Sequence, residues 1–185
     1  MAVLFWFVVV VWLCVDIYFV FLRRVGYYTK VERRTKIIVT FLILLGVFLA
    51  SLPESFRESW AVREFGTFQI IGTFVLLLGV VLRIISILTL GKYFAGDILV
   101  NSERKLVKSG IYRWVRHPSY TGEIIAFLGL AIVFEHIPSS LFIFIFPSLA
   151  FIYRAIVEEK FLELEFGQEY IEYKKKTKMF IPFLL

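Results

Sequence analysis

Long apolar segments separated by charged ones constrain the fold of this chain more than any other feature of its sequence. The segments are 3–22, 37–52, 66–90, 120–134 and 141–157. A helix rises about 1.5 Å per residue and the hydrocarbon core of a bilayer is about 30 Å thick, so segments of about this length can cross it. Of the 185 residues, 59% are hydrophobic and only 19% are charged. The sequence therefore predicts an all-α, polytopic membrane helical bundle with about five transmembrane helices.

The charged segments between the apolar ones predict the orientation of this bundle. Segments 23–36 and 91–119 contain an excess of Lys and Arg, whereas the connector 53–64 does not. Because cytoplasmic loops are enriched in Lys and Arg, we expect the N-terminus outside and the C-terminus on the cytoplasmic side. The tail from Glu158 onward has a broken apolar face and predicts an amphipathic cytoplasmic helix. That face consists of Phe161, Leu162, Phe166, Tyr170 and Tyr173.

Several kinds of site are disfavoured by the composition. Cys14 is the only cysteine, so no internal disulfide or Cys-based zinc site can form, and we expect no metal. The net charge of +6 lies in segments that flank the apolar runs, where anionic lipid headgroups are a simpler partner than nucleic acid. Asp16 and Arg83 are two of the charged residues that fall inside the predicted spans. Asp16 is either a functional acid or the partner of a cation, and we favour the pairing. Arg83 either lines a site or reaches the interface as a snorkelling anchor, and we favour the anchor.

Segment 116–122, which reads RHPSYTG, combines reactive side chains with a helix start. Proline disfavours helical angles at His117 and is well tolerated at the first position of a helix. The segment therefore predicts a helix N-terminus at the bilayer surface that presents Arg116, His117 and Tyr120. Such a terminus suits an anionic group, because its backbone donors are unpaired. The alternative is a helix cap with interfacial anchors.

A second polar pair lies at the end of the last apolar segment. Arg154 and Glu158 are four residues apart and therefore share a helix face. The fourth and fifth predicted spans are joined by a tight turn at 135–140, so they should form a hairpin that brings this pair opposite His117 and Tyr120. These four side chains then predict a pocket with both signs of charge, which fits a zwitterionic ligand. The alternative is an interfacial arginine with a salt-bridge partner.

Four sequence blocks occur in order along the second part of the chain. They are LVKSGIY at 106–112, RHPSYTG at 116–122, Arg154 with Glu158 and Glu159, and FGQEYIEY at 166–173 with a closing Ile-Pro at 181–182. Together they resemble the isoprenylcysteine carboxyl methyltransferases and, less closely, the related phospholipid methyltransferases. The resemblance covers 82–182. We therefore expect one membrane methyltransferase domain over 1–185, with two accessory transmembrane helices in 1–65 and a catalytic core in 66–185.

The resemblance implies an enzyme that takes S-adenosylmethionine from the cytosol and a lipid-linked acceptor, such as a prenylated cysteine, from the bilayer. By motif position, the residues implied in cofactor binding are Leu106, Val107 and Tyr112 at the adenosine, His117, Pro118, Ser119 and Tyr120 at the amino-acid end and ribose, and Glu158 at an ammonium or ribose hydroxyl. Arg154 is implied as the catalytic residue that binds and orients the acceptor carboxylate. Two positions depart from the family pattern: Arg104 replaces an expected His, and Asp97 an expected neutral amide.

Other functions remain open on the sequence. A carboxylate acceptor is already ionised at neutral pH and needs no general base, whereas an amine must lose a proton. Phospholipid N-methylation on ethanolamine would therefore need a base, for which Glu159 or His117 is the candidate. A non-catalytic membrane scaffold or transporter is the alternative outside enzymes. A sterol reductase with a nicotinamide cofactor is disfavoured, because such enzymes need many more spans.

Overall fold

The computed structural model describes residues 1–18, 30–52, 66–91 and 105–182. These residues form α1 (Ala2–Asp16), α2 (Lys30–Ser51), α3 (Thr67–Leu90), a short 3-10 helix (Gly110–Arg113), α4 (Pro118–Val133), α5 (Ile137–Phe166) and α6 (Gln168–Lys176). Within the described ranges the one β-type contact is an isolated parallel bridge between Val115 and Lys178. The expectations for the loop charges at 23–29, for the connector 53–64 and for Asp97 and Arg104 lie outside the described residues.

Three of the described helices are long and apolar enough to cross a bilayer: α2 from Arg33 onward, α3 and α5. The apolar helices α1 and α4 are shorter, with 15 and 16 residues. At about 1.5 Å per residue, α4 is about 24 Å long, somewhat less than a hydrocarbon core. The predicted all-α membrane bundle is confirmed. The number of five spanning helices stays a prediction, because two of the five fall short of a full span.

Helix α5 continues without interruption well past the predicted end of the fifth span at 157. It is 30 residues long and ends at Phe166. The next residue, Gly167, has a φ of +52°, a left-handed conformation that glycine adopts without strain. Arg154 and Glu158 therefore lie on one regular helix. The predicted hairpin is present, since α4 and α5 are joined by residues 134–136 and pack against each other.

The tightest helix pair is α3 with α4, and small residues allow it. A methyl group placed on Gly72 would lie 2.7 Å from the carbonyl oxygen of Gly129, and one on Gly122 would lie 2.7 Å from the carbonyl oxygen of Gly79. The two backbones are thus in direct contact, as is common where small residues line membrane helix interfaces. This contact fixes the first turn of α4 relative to α3.

A buried charge cluster joins α1, α3 and α4. Nε of Arg83 donates to Oδ1 of Asp16 at 2.7 Å and forms an ion pair with Oε1 of Glu123, while Trp12 donates to Oε2 of Glu123 at 3.0 Å. The pairing predicted for Asp16 is confirmed. The prediction that Arg83 is an interfacial anchor is wrong, because two carboxylates neutralise it inside the bundle and only 4% of its side chain is exposed.

The tail forms α6 and then returns toward the start of α4. Tyr170 and Tyr173 of α6 are buried, which agrees with the apolar face predicted for this segment. After Thr177 the chain runs beside segment 115–117, where Arg116 N–H donates to the carbonyl of Lys178 at 2.8 Å and His117 N–H to that of Met179 at 3.0 Å.

Candidate active site

A cavity of about 280 Å³ lies between the ends of α2, α3, α4 and α5 and is closed on one side by α6. It brings together almost all of the residues selected from the sequence, although they span 53 positions (106 to 158). The ones that line it are Leu106, Val107, Tyr112, His117, Ser119, Tyr120, Arg154 and Glu158. Pro118 does not: it is fully buried at the first position of α4 and fixes the helix start instead.

Tyr120 connects the two polar residues of α5. Its phenol donates to Oε2 of Glu158 at 2.6 Å and accepts from Nε of Arg154 at 3.0 Å. The ring also stacks on His117, with the centroids 5.5 Å apart and the planes inclined by 10°. Tyr120 thus orients a carboxylate, a guanidinium and an imidazole around the same space.

Arg116 lines the cavity, but its side chain also bonds to α5. Its Nε donates to Oε1 of Glu159 at 2.6 Å, and its Nη1 bonds the carbonyl oxygen of Thr177. Lys174 of α6 lies 2.9 Å from Oε2 of the same carboxylate, and Nε2 of His117 lies 3.5 Å from Oε1. The start of α4 was predicted to suit an anionic group. Next to Arg116, that group is the carboxylate of Glu159.

The other wall of the cavity contains the residues expected at the adenosine. Tyr112 follows Leu106 and Val107, and its backbone carbonyl accepts from the phenol of Tyr173 at 2.6 Å. Burial raises the pKa of Tyr112 well above its ordinary value of 10, so its phenol remains a neutral hydrogen-bond donor at physiological pH. The wall is thus apolar with a fixed aromatic ring, and a flat heterocycle is the kind of group it can pack against.

Several lining residues were not selected from the sequence. Lys36, Val39, Thr40 and Ile43 of α2 and Asp16 of α1 reach the cavity, so both N-terminal helices contribute to its wall. Tyr170 also lines it, and its buried hydroxyl has no hydrogen-bond partner among the described residues. For Tyr170 the apolar periodicity of the tail was the only sequence signal, and it predicted packing. For Asp16, an acid within an apolar run was the signal.

The comparisons with known proteins agree with this geometry. Residues 67–169 match the family model described as phospholipid methyltransferase. The protein-S-isoprenylcysteine O-methyltransferase of Saccharomyces cerevisiae is 40% identical over 118 residues, which are 62% of this chain and 49% of that protein. The probable protein-S-isoprenylcysteine O-methyltransferase of Oryza sativa subsp. indica is 30% identical over 157 residues, 83% of this chain and 78% of that protein. The chain belongs to the isoprenylcysteine carboxyl methyltransferase family.

A solved structure supports the membership at the level of the fold. The eukaryotic intramembrane Ras methyltransferase, an isoprenylcysteine carboxyl methyltransferase, superposes with a TM-score of 0.60 and 27% identity over 91% of this chain and 60% of that one. The chain spans 49%, 63% and 41% of the length of the curated relatives from Saccharomyces cerevisiae, Arabidopsis thaliana (form B) and Xenopus laevis. The sequence comparisons and the structural comparison therefore agree on the family and on the α-helical membrane fold.

Proposed function

We propose that this protein is an integral membrane methyltransferase that transfers a methyl group from S-adenosylmethionine to the carboxylate of a prenylated cysteine or another lipid-linked acid. The observation that carries the proposal is the arrangement around Tyr120, which holds Arg154 and Glu158 on one cavity beside His117. The family membership supports methyl transfer, and the cavity supplies a cation for an acidic acceptor.

The residues of the cavity fit the proposed cofactor. S-adenosylmethionine, when bound, supplies a methyl group on a positively charged sulfur. Leu106, Val107 and Tyr112 offer an apolar and aromatic wall to its adenine, and Glu158 offers an anion to its ammonium or a ribose hydroxyl. The buried hydroxyl of Tyr170, which lacks a partner in the described part of the chain, is a further polar group available to a ligand.

Arg154 is the residue we assign to the acceptor. A guanidinium binds a carboxylate through two parallel N–H donors and so fixes its direction as well as its position. Its Nε is already fixed by Tyr120 at 3.0 Å, which reduces the freedom of the side chain before any acceptor arrives. A carboxylate is ionised at neutral pH, so placement and exclusion of water, rather than removal of a proton, are what these residues need to provide.

The contacts of Glu159 argue against it as the base that an amine acceptor would need, which leaves His117 at the cavity as the other candidate. Methylation of an amine would need a general base, and Glu159 was one of the two candidates. Its carboxylate is taken up by Arg116 at 2.6 Å and by Lys174 at 2.9 Å, and it is not among the residues that line the cavity. A carboxylate bound by two cations is a poor proton acceptor, since both cations favour its ionised form.

We further propose that the cavity opens to the cytoplasmic side, with the N-terminus of the chain outside. The support is the excess of Lys and Arg in the sequence segments 23–36 and 91–119. The acceptor's lipid chain then comes from the bilayer, because α2, whose outer face is apolar, forms part of the cavity wall.

The experiment that tests the function uses the purified, detergent-solubilised protein with methyl-labelled S-adenosylmethionine and a farnesyl-cysteine analogue. We expect a methyl ester that is released by base. A base-stable methyl on ethanolamine lipid would establish N-methylation instead, and no transfer to either acceptor together with no binding of S-adenosylhomocysteine would favour the scaffold or transporter. The variants Glu158→Ala and His117→Ala should weaken the binding of S-adenosylhomocysteine, measured by calorimetry.

A further inference from the structure

Arg83, in the buried charge cluster of α1, α3 and α4, also contacts the proposed cofactor site. Its Nη1 donates to Oγ of Ser119 at 3.0 Å, in the first turn of α4. Both residues line the cavity, and both are almost fully buried. The guanidinium is therefore bonded on one edge to carboxylates and on another to a residue of segment 116–122.

The bond from Arg83 determines what Ser119 can do. A guanidinium has no acceptor, so Ser119 accepts from it, and the hydroxyl proton of Ser119 must point to another group. Among the described residues no acceptor takes that proton, whereas the hydroxyl of Thr121, two residues further along α4, lies within hydrogen-bond distance of the carbonyls of His117 and Phe180. A buried donor without a partner is unfavourable, so a ligand oxygen placed there gains an interaction.

The charge cluster keeps Arg83 in this position. Asp16 and Glu123 both bond the Nε edge, and Glu123 is itself held by Trp12 of α1. The backbone of α3 at Arg83 is also in contact with α4, because a methyl group on Gly122 would lie 2.8 Å from the amide nitrogen of Arg83. Neither the side chain nor the backbone of Arg83 can then move away from Ser119 without breaking buried contacts.

We infer that Arg83, clamped by Asp16 and Glu123, is a positioning residue that fixes Ser119 as a hydrogen-bond donor to an oxygen of the bound cofactor. The oxygen is of the carboxylate or hydroxyl class, since these are the acceptors that S-adenosylmethionine presents away from its adenine. This inference rests on the proposed function. It also gives α1, which the sequence assigns as accessory, a role in binding, because Asp16 and Trp12 hold the clamp.

The test is a double-mutant cycle on the full chain in detergent, with the affinity for S-adenosylhomocysteine measured by calorimetry. Ser119→Ala should weaken binding about tenfold, as expected for the loss of one hydrogen bond to a charged or strongly polar group. Ser119→Thr keeps the hydroxyl and should restore most of the affinity. Arg83→Lys keeps the charge but donates from a single nitrogen, whereas Arg83 uses Nε for the carboxylates and Nη1 for Ser119, so this variant should weaken binding about threefold or more. Ser148→Ala is the matched control, because Ser148 is a buried serine outside the cavity lining.

The decisive comparison is the double variant. If Arg83 acts through Ser119, Arg83→Lys should add less than about twofold once Ser119 is already alanine. Independent, multiplying effects would overturn the inference, as would unchanged affinity of Ser119→Ala. Should Arg83→Lys fail to fold, Asp16→Asn replaces it in the same cycle with the same expected and contrary results. Absence of binding by the unsubstituted protein would instead refute the proposed function, so the two failures are distinguishable.

Discussion

Tyr120 donates its phenol hydrogen to Oε2 of Glu158 over 2.6 Å, across the gap between α4 and α5. The same oxygen of Tyr120 accepts from Arg154 at 3.0 Å. A residue proposed to bind the acceptor and one proposed to bind the cofactor are therefore oriented by a single hydroxyl group. This coupling predicts that both functions respond to one substitution.

Tyr120→Phe removes that hydroxyl and keeps the ring that stacks on His117. Each lost bond involves a charged partner, and such bonds contribute about 1.5–3 kcal/mol. We expect the affinity for S-adenosylhomocysteine to fall about tenfold and kcat to fall as well, measured by calorimetry and a methyl-transfer assay. Tyr153→Phe on α5, outside the cavity lining, is the control. A loss confined to either measurement would contradict the shared role.

Arg154→Lys tests whether the geometry of the cation matters. Lysine keeps the positive charge but lacks the planar pair of donors that fixes a carboxylate. We expect kcat to fall about a hundredfold, while the affinity for S-adenosylhomocysteine stays within about threefold. Steady-state kinetics and calorimetry on one preparation separate the two. Equal losses in both would indicate that Arg154 belongs to the cofactor site instead.

The helical membrane fold and four polar residues of the cavity, His117, Tyr120, Arg154 and Glu158, could be predicted because they depend on local signals. The other predicted lining residues, Leu106, Val107, Tyr112 and Ser119, came only from the resemblance to the family. Apolar length predicts the helices, Pro118 predicts the start of α4, and the four-residue spacing of Arg154 and Glu158 predicts a shared face. The short turn between α4 and α5 makes the two helices antiparallel neighbours. This brings His117 and Tyr120 close to Arg154 and Glu158.

What could not be predicted depends on contacts between residues distant in sequence. Arg83 was assigned to the interface because its partner Asp16 is 67 residues away and the contact of α1 with α3 has no local signal. The presence of two acids and one arginine within apolar segments was the available clue, since buried charges are usually paired. The return of the tail to Arg116 could not be predicted either. It depends on backbone hydrogen bonds near Lys178, and such bonds do not require particular side chains.

Glu159 is expected to hold the tail in place. It binds Arg116 and Lys174, and the pair with Arg116 is almost fully buried. The hydrogen bonds that Lys174 donates to Glu159 and Glu163 raise the pKa of Lys174, which keeps this lysine charged. Breaking a buried pair by removing one partner costs about 3–5 kcal/mol, so Glu159→Gln should lower the Tm by several degrees.

The same variant should speed trypsin cleavage at Lys174 and the lysines that follow it. Their side chains are already exposed, so the rate depends on how firmly the tail is held. The control is Glu172→Gln on the exposed face of α6, which should change neither the Tm nor the digestion pattern. If Glu159→Gln leaves both measurements unchanged, the tail is held without Glu159, by its backbone bonds to segment 115–117 and by the bonds of Tyr173, Arg116 and Thr121.

Gly129 tests the close contact of α3 with α4. A methyl group at this position would overlap the backbone of Leu76 and lie 2.7 Å from the carbonyl oxygen of Gly72. Alanine favours a helix over glycine by about 1 kcal/mol, but forcing two packed backbones apart costs about 1–3 kcal/mol and exposes buried surface. We therefore expect Gly129→Ala to lower the Tm, measured by thermal unfolding in detergent. Leu128→Ala, at a neighbouring position whose side chain faces outward, should change the Tm much less. A Tm raised by Gly129→Ala would mean that helix propensity outweighs packing here and that the two helices can separate freely.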